Sequence, residues 1–302
     1  MKYLRIVCFF GLALSFLPHV AHAQYAALKD PKLEREMSES MLYPTALVCL
    51  ESNVSGVSGC GSSTVVFSGE LDVAKICKIE GSVLKDDPMC SQTTDKKQFR
   101  TYLLTNYHNF VAVPERQLPN DPHVALPDIN PDTFRAGIIF RMTSQNMQGA
   151  RRSRPLPATV VVYEKEKDLA VVRIDGYNEA FPYVAKMAPK NVDLGLSRKV
   201  WSVGYPHEYG PLMTEGELSG LEQVCETSTS GRLCQTLFLS STALDAGNSG
   251  GGLYQYSPKR GFELIGVPRL VGSIPQVSLS IMIQHVHLFL EAHNLDFIIP
   301  SN

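Results

Sequence analysis

The segment Asp245-Ala246-Gly247-Asn248-Ser249-Gly250-Gly251-Gly252-Leu253 sets one serine among glycines, between two runs of β-forming residues. An acyl-transfer nucleophile needs an exposed hydroxyl oxygen and backbone N–H groups aimed at the attacked carbonyl oxygen. Glycines permit the tight backbone that supplies both. Composition alone is equally compatible with an ordinary glycine-rich turn, and two further segments shift the balance. Thr105-Asn106-Tyr107-His108 closes an apolar strand on a histidine, and Asp168-Leu169-Ala170-Val171-Val172 opens another on an aspartate. Taken singly, such a histidine is usually a surface group and such an aspartate a loop cap. Taken in order with Ser249, they supply a general base, the carboxylate that orients it and a nucleophile. The expectation is a catalytic set of His108, Asp168 and Ser249.

Elements that could position such a set are short β-type runs separated by turn residues. Twelve are expected, at 46–50, 63–67, 101–105, 134–141, 159–162, 169–174, 199–203, 216–221, 235–240, 252–256, 263–267 and 278–283. Two helices are expected, a polar one at 31–40 and one at 284–293 whose Val286, Phe289 and Leu290 share a face. Twelve strands suit an all-β fold of two packed six-stranded antiparallel barrels, closed by the C-terminal helix. The N-terminal barrel then covers about 41–176, the C-terminal barrel about 194–283 and the closing helix 284–293, with 24–40 as a preceding segment. The proline-rich stretch 114–131 and Arg151-Arg152-Ser153-Arg154 read as exposed loops.

Residues 1–23 have the three parts of a secretory signal peptide: basic Lys2 and Arg5, an apolar run from Ile6 to Leu17, and Ala21-His22-Ala23 before the expected cut. The run is shorter than the roughly 20 residues that span hydrocarbon, so export to the periplasm or the medium is expected, without stable membrane insertion. Without Lys2 and Arg5 the chain keeps 26 basic residues against 30 acidic ones, which gives no support for nucleic-acid or anionic-membrane binding. Cys49, Cys60, Cys77, Cys90, Cys225 and Cys234 remain after the signal. An even count in an exported chain points to disulfides, and although six cysteines allow 15 pairings, the sequential couples 49–60, 77–90 and 225–234 are the ones chosen. No couple has zinc-knuckle spacing.

The chain resembles the chymotrypsin-like peptidases, above all the bacterial HtrA (Do) branch, over about 46–290. Besides the three segments above, Gly59-Cys60-Gly61-Ser62-Ser63 resembles the glycine-rich strand entry upstream of the histidine. Val203-Gly204-Tyr205-Pro206 resembles the Gly-x-Pro strand exit, and Gly216-Glu217-Leu218-Ser219-Gly220 the glycine-led strand before the serine motif. The resemblance implies a serine endopeptidase acting on polypeptides through an acyl-enzyme, without cofactor or metal. It also implies an oxyanion hole from the N–H groups of Gly247 and Ser249. Digestive members carry an acidic residue just before the serine, where a newly cut N-terminus pairs with it; Asn248 stands there, so activation by terminal insertion is not expected. A PDZ module and its trimeric assembly are not expected either, leaving a monomer. Ala243, where a basic-specific member has Asp, argues against a trypsin-like preference. Val267, Pro268, Arg269 and Leu270 would flank the substrate, giving an apolar pocket, or an acid-selective one if Arg269 turned inward.

Competing readings are a catalytically silent binding or chaperone-like module and an esterase. The serine segment lacks Gly-x-Ser-x-Gly spacing, and the order of the three groups is wrong for an α/β-hydrolase. His285 and His287, two apart on a helix, point to different faces, which disfavours a shared metal. His207 reads as a turn residue.

Overall fold

The computed structural model describes residues 30–52, 58–85, 87–91, 96–110, 134–139, 155–228, 231–271 and 277–301. The expected signal segment 1–23 and the loops 114–131 and 151–154 lie outside them. Twelve strands form two closed barrels in which every neighbouring pair is antiparallel. The first joins β1 (Thr45–Ser52), β2 (Ser58–Asp72), β3 (Lys97–Thr105), β4 (Phe134–Ile139), β5 (Leu156–Glu164) and β6 (Leu169–Ile174) in the ring order β1-β2-β3-β6-β5-β4. The second joins β7 (Lys199–Gly204), β8 (Leu212–Ser228), β9 (Gly231–Ser240), β10 (Gly252–Ser257), β11 (Gly261–Val271) and β12 (Ser278–Met282) in the order β10-β11-β12-β9-β8-β7.

Closure removes the unpaired edges of a sheet, and alternate side chains then face inward or outward. In β3 and β6, Leu103, Ala170 and Val172 fill the first barrel, while Tyr102, Leu104 and Val171 pack outward into a second cluster. That second cluster continues through Val203, Leu253, Leu264 and Ile281 of the second barrel. Both faces are therefore buried along Thr101–Thr105 of β3 and Leu169–Val172 of β6, which explains the apolar runs there.

Four α-helices complete the description: α1 (Pro31–Met37), α2 (Val73–Glu80), α3 (Pro88–Ser91) and α4 (Ile283–Ala292). Asp30 caps α1 by accepting from Lys32 N–H at 2.9 Å, and Pro31 suits its first turn. A π-helical turn, Ser38–Leu42, follows and brings Met41 into the core. Helix α4 buries Ile283, Val286, Phe289 and Leu290, as its spacing predicts. No helix among the described residues is long and apolar enough to cross a membrane.

The three disulfides pair Cys49 with Cys60, Cys77 with Cys90 and Cys225 with Cys234. Two of them join directly opposed residues of hairpins, β1 with β2 and β8 with β9. The third ties α2 to α3. Beside α2, the wholly buried Glu80 carboxylate receives Arg100 Nε at 3.1 Å, Tyr102 O–H at 2.8 Å and the guanidinium of Arg173. That cluster fastens α2 to β3 and β6.

Candidate active site

Strand β3 stops at Thr105, and Tyr107–Phe110 turns as one 3-10 helix. Tyr107 and Phe110 are buried on either side of His108, which leaves its imidazole partly exposed at the lip of the first barrel. Immediately before β6 stands Asp168, whose φ of 54° lies in the left-handed region. A non-glycine residue pays of order 1–3 kcal/mol for such a conformation unless its surroundings enforce it. Here Asp168 N–H donates to Lys165 carbonyl at 3.0 Å, and its own carbonyl accepts from Asn106 Nδ2 at 2.9 Å.

The Asp168 carboxylate is fully buried and takes three donors. Oδ1 accepts the backbone N–H of His108 at 2.9 Å. Oδ2 lies 2.8 Å from His108 Nδ1 and accepts Arg269 Nε–H at 2.9 Å. Burial alone would raise its pKa, but His108 and Arg269 outweigh burial and hold the carboxyl below its ordinary range. The arrangement fixes the face and tilt of the imidazole and favours Nδ1–H as the tautomer.

Between β9 and β10 the serine segment makes two backbone turns that only glycine adopts readily: φ is 97° at Gly247 and 87° at Gly250. A Cβ at Gly247 would overlap the Tyr205 carbonyl oxygen, and one at Gly250 would overlap the Ser62 carbonyl oxygen. The segment is stitched to the first barrel. Ser249 carbonyl accepts Ser62 N–H at 2.8 Å and Asn109 Nδ2–H at 2.9 Å, while Ser62 Oγ–H donates to Gly247 carbonyl at 2.6 Å. Asn109 is the neighbour of His108, so the backbone of Ser249 is held directly beside the histidine turn.

The Ser249 hydroxyl donates to the Arg269 carbonyl at 3.0 Å. Backbone N–H groups of Asn248, Gly250 and Gly251 are engaged by Asp245, Pro268 and Asn248 carbonyls. Among the described residues, those of Gly247 and Ser249 donate to no protein acceptor. They are the two groups expected to face an oxyanion.

The residues expected around the substrate separate in space. Ala243 lines a cavity of about 310 Å³ with Pro206, Tyr209, Leu212, Thr214 and Leu244. Val267 is buried in the core, Pro268 carbonyl receives Gly250 N–H at 3.0 Å, and Arg269 turns to Asp168. The side chain of Leu270 is outside the description. His207, with φ of 48°, donates its backbone N–H to Ala246 carbonyl at 2.7 Å and sets Nε2 2.9 Å from Asp245 Oδ2. His287 is buried, with Nε2–H donated to Ala188 carbonyl at 3.0 Å. Among the described residues no three His, Cys, Asp or Glu side chains converge as a metal set.

Sequence reasoning did not find the parts played by Ser62, Asn106 and Asn109. Their only signal was position, in the glycine-rich strand entry and on either side of His108. Arg269 was singled out, but its partner in the fold is a carboxylate of the other barrel.

Two packed six-stranded barrels with a histidine, a buried aspartate and a glycine-framed serine at their junction define the chymotrypsin-like class. The family model of the trypsin-like peptidase domain matches residues 91–267, more than half of the chain. The chain belongs to the trypsin-like peptidase domain family. It is 34% identical over 101 residues to the chloroplastic Protease Do-like 1 of Arabidopsis thaliana, a match that covers 33% of this chain and 22% of that relative. Among solved structures, a protease from M. tuberculosis in its active form superposes with a TM-score of 0.54 at 12% identity, covering 87% of this chain and 86% of the other. An HtrA-type protease crystallised with a tripeptide superposes with a TM-score of 0.53 at 15% identity, covering 87% and 64%. At those identities the likeness is one of fold.

Proposed function

We propose that this protein is an exported endopeptidase that cleaves polypeptides through Ser249, His108 and Asp168. The observation that carries the reading is the buried Asp168 carboxylate bonded to both the backbone N–H and Nδ1 of His108, next to a Ser249 backbone locked in place by Asn109 and Ser62. In the first half-reaction Ser249 Oγ attacks the peptide carbonyl carbon while His108 Nε2 takes its proton. The tetrahedral oxyanion is received by the N–H groups of Gly247 and Ser249. Collapse breaks the C–N bond, His108 returns the proton to the departing amine, and an ester to Ser249 remains. Water then repeats the sequence and releases the acid. The attack requires Ser249 Oγ to leave the Arg269 carbonyl for the imidazole; hydrogen bonds of this kind often tighten only when substrate is bound.

Export is supported by the pairing of all six cysteines after residue 23, since disulfides persist in oxidising compartments. The test is labelling of the protein with a fluorophosphonate, followed by mapping of the modified residue and cleavage of a fluorogenic peptide library. Ser249 is expected to carry the label. Ser249→Ala is expected to lose both labelling and cleavage, by roughly 10⁶ in turnover, with an unchanged circular dichroism spectrum. Undiminished labelling of the variant removes Ser249 from this role, and a parent protein that never labels favours the silent binding module.

A further inference from the structure

Arg269 is the one cation bonded to the Asp168 carboxylate among the described residues, and it touches both ends of the proposed triad. Its Nε–H meets Asp168 Oδ2 at 2.9 Å, and its carbonyl accepts the Ser249 hydroxyl at 3.0 Å. The side chain is 4% exposed, too deep in the seam between barrels to serve as a surface recognition group. We propose that Arg269 is a positioning residue of the active site, not a substrate-pocket residue: its guanidinium anchors the Asp168 carboxylate and withdraws part of that negative charge from His108. This rests on the triad reading above.

Two donors share Oδ2, one from His108 and one from Arg269, while Oδ1 is held by the backbone N–H of His108. The carboxylate therefore cannot swing, and the ring bonded to it is fixed. The charge consequence is separate. A carboxylate facing only an imidazole lends that ring its whole negative charge when it protonates; one already paired with a guanidinium lends less. Among the described residues, the charged and polar groups near the pair include Gln235 Oε1 from β9, 3.4 Å from Arg269 Nη1, and Lys167, whose ammonium is taken up by Glu164 at 2.6 Å. Arg269 thus holds the Asp168 carboxylate, and through it the imidazole of His108, in one orientation.

The experiment compares the parent with Arg269→Gln and Arg269→Lys, using a fluorogenic peptide selected by library profiling. In Arg269→Gln, kcat is expected to fall about 10–100-fold with KM within about twofold. Turnover is expressed per Ser249 labelled by fluorophosphonate, so a loss of folded enzyme alone would leave it unchanged, whereas a mispositioned Asp168 lowers it. Arg269→Lys should restore kcat only in part, because it returns the charge without the planar fork. A raised KM at unchanged kcat, or kinetics identical to the parent, overturns the proposal. A further arm needs no variant: the parent is given matched peptides with Glu or Gln at the cleaved residue. Similar rates support a buried, committed Arg269. A preference for Glu above about tenfold means that the guanidinium reaches substrate, and sinks the proposal even if both variants misfold. Fluorophosphonate labelling of Ser249 is run alongside. Its loss in the parent rejects the triad itself, whereas intact labelling with an inert Arg269 rejects only the positioning role.

Discussion

At Gly247 one missing methyl group decides whether the backbone can present its N–H. The φ of 97° is open to glycine, and the Tyr205 carbonyl oxygen occupies the place of any Cβ. Gly247→Ala is therefore expected to rotate this peptide out of the hole. Turnover should fall by roughly 10²–10³, as for loss of one oxyanion donor, with a stability cost of about 1–3 kcal/mol for the strained conformation. Steady-state kinetics and denaturant unfolding of the variant measure the two effects; turnover within threefold of the parent would mean that Gly247 N–H stabilises no oxyanion. The need for glycine here was visible in the run of glycines around Ser249. The tie of Arg269 to Asp168 was not, because 101 residues separate them and nothing local marks a guanidinium that will turn inward from a strand. Asn109 was hidden for a similar reason: its amide reaches Ser249 carbonyl only once the two barrels meet.

Strands were readable because burial imposes a period on them, and β6 is found at the residues expected, 169–174. The long hairpin β8–β9 was read short. Its outer part, where Cys225 opposes Cys234, is held by ladder and disulfide, and polar residues there send no burial signal. Helix α2 was missed because only Val73, Ile76 and Ile79 face the core, too brief a period to separate from a strand. Its real fastening is Glu80. That carboxylate is wholly buried among Arg100, Arg173 and Tyr102, and burial with Glu80 nearby pushes the Tyr102 phenol well up, so the tyrosine stays a donor. Glu80→Ala would strand two guanidinium groups and a phenol at once. A loss of about 3–5 kcal/mol in urea unfolding is expected, with α2 becoming the first element to exchange its amide hydrogens. A loss below 1 kcal/mol would show that water replaces the carboxylate there. Opening Cys225–Cys234 by a paired serine substitution is a milder change, expected to cost about 2–3 kcal/mol for so short a loop.

The whole molecule depends on the two barrels docking, since the proposed base and acid lie on the first and the nucleophile on the second. Their junction is held by Ser62 against the serine segment, by Arg269 against Asp168, and by the connecting residues. Among these, Ala185 N–H donates to Val65 carbonyl at 2.8 Å, and Ala188 N–H to Leu264 carbonyl at 3.0 Å. The Ala188 carbonyl in turn receives Nε2–H of buried His287 on α4. Burial is the largest influence on His287, on His285 of the same helix and on His293 just after it, and all three titrate below the ordinary value of 6.5. The unfolded chain therefore binds protons before the folded one does. Stability rises with pH wherever the unfolded state holds more protons, so the contribution of these three groups is level above about pH 7 and falls as pH drops through 6.5 toward the lower folded values. Thermal unfolding between pH 7.5 and 5 is expected to show a declining Tm, about 2–4 °C for each kcal/mol lost. His287→Gln keeps a donor for Ala188 but cannot take up the proton, so its decline should be shallower than the parent's. A parent Tm flat over that range, or a variant as steep as the parent, would show that α4 accommodates the charged ring and that its tie to the segment connecting the barrels does not respond to acid.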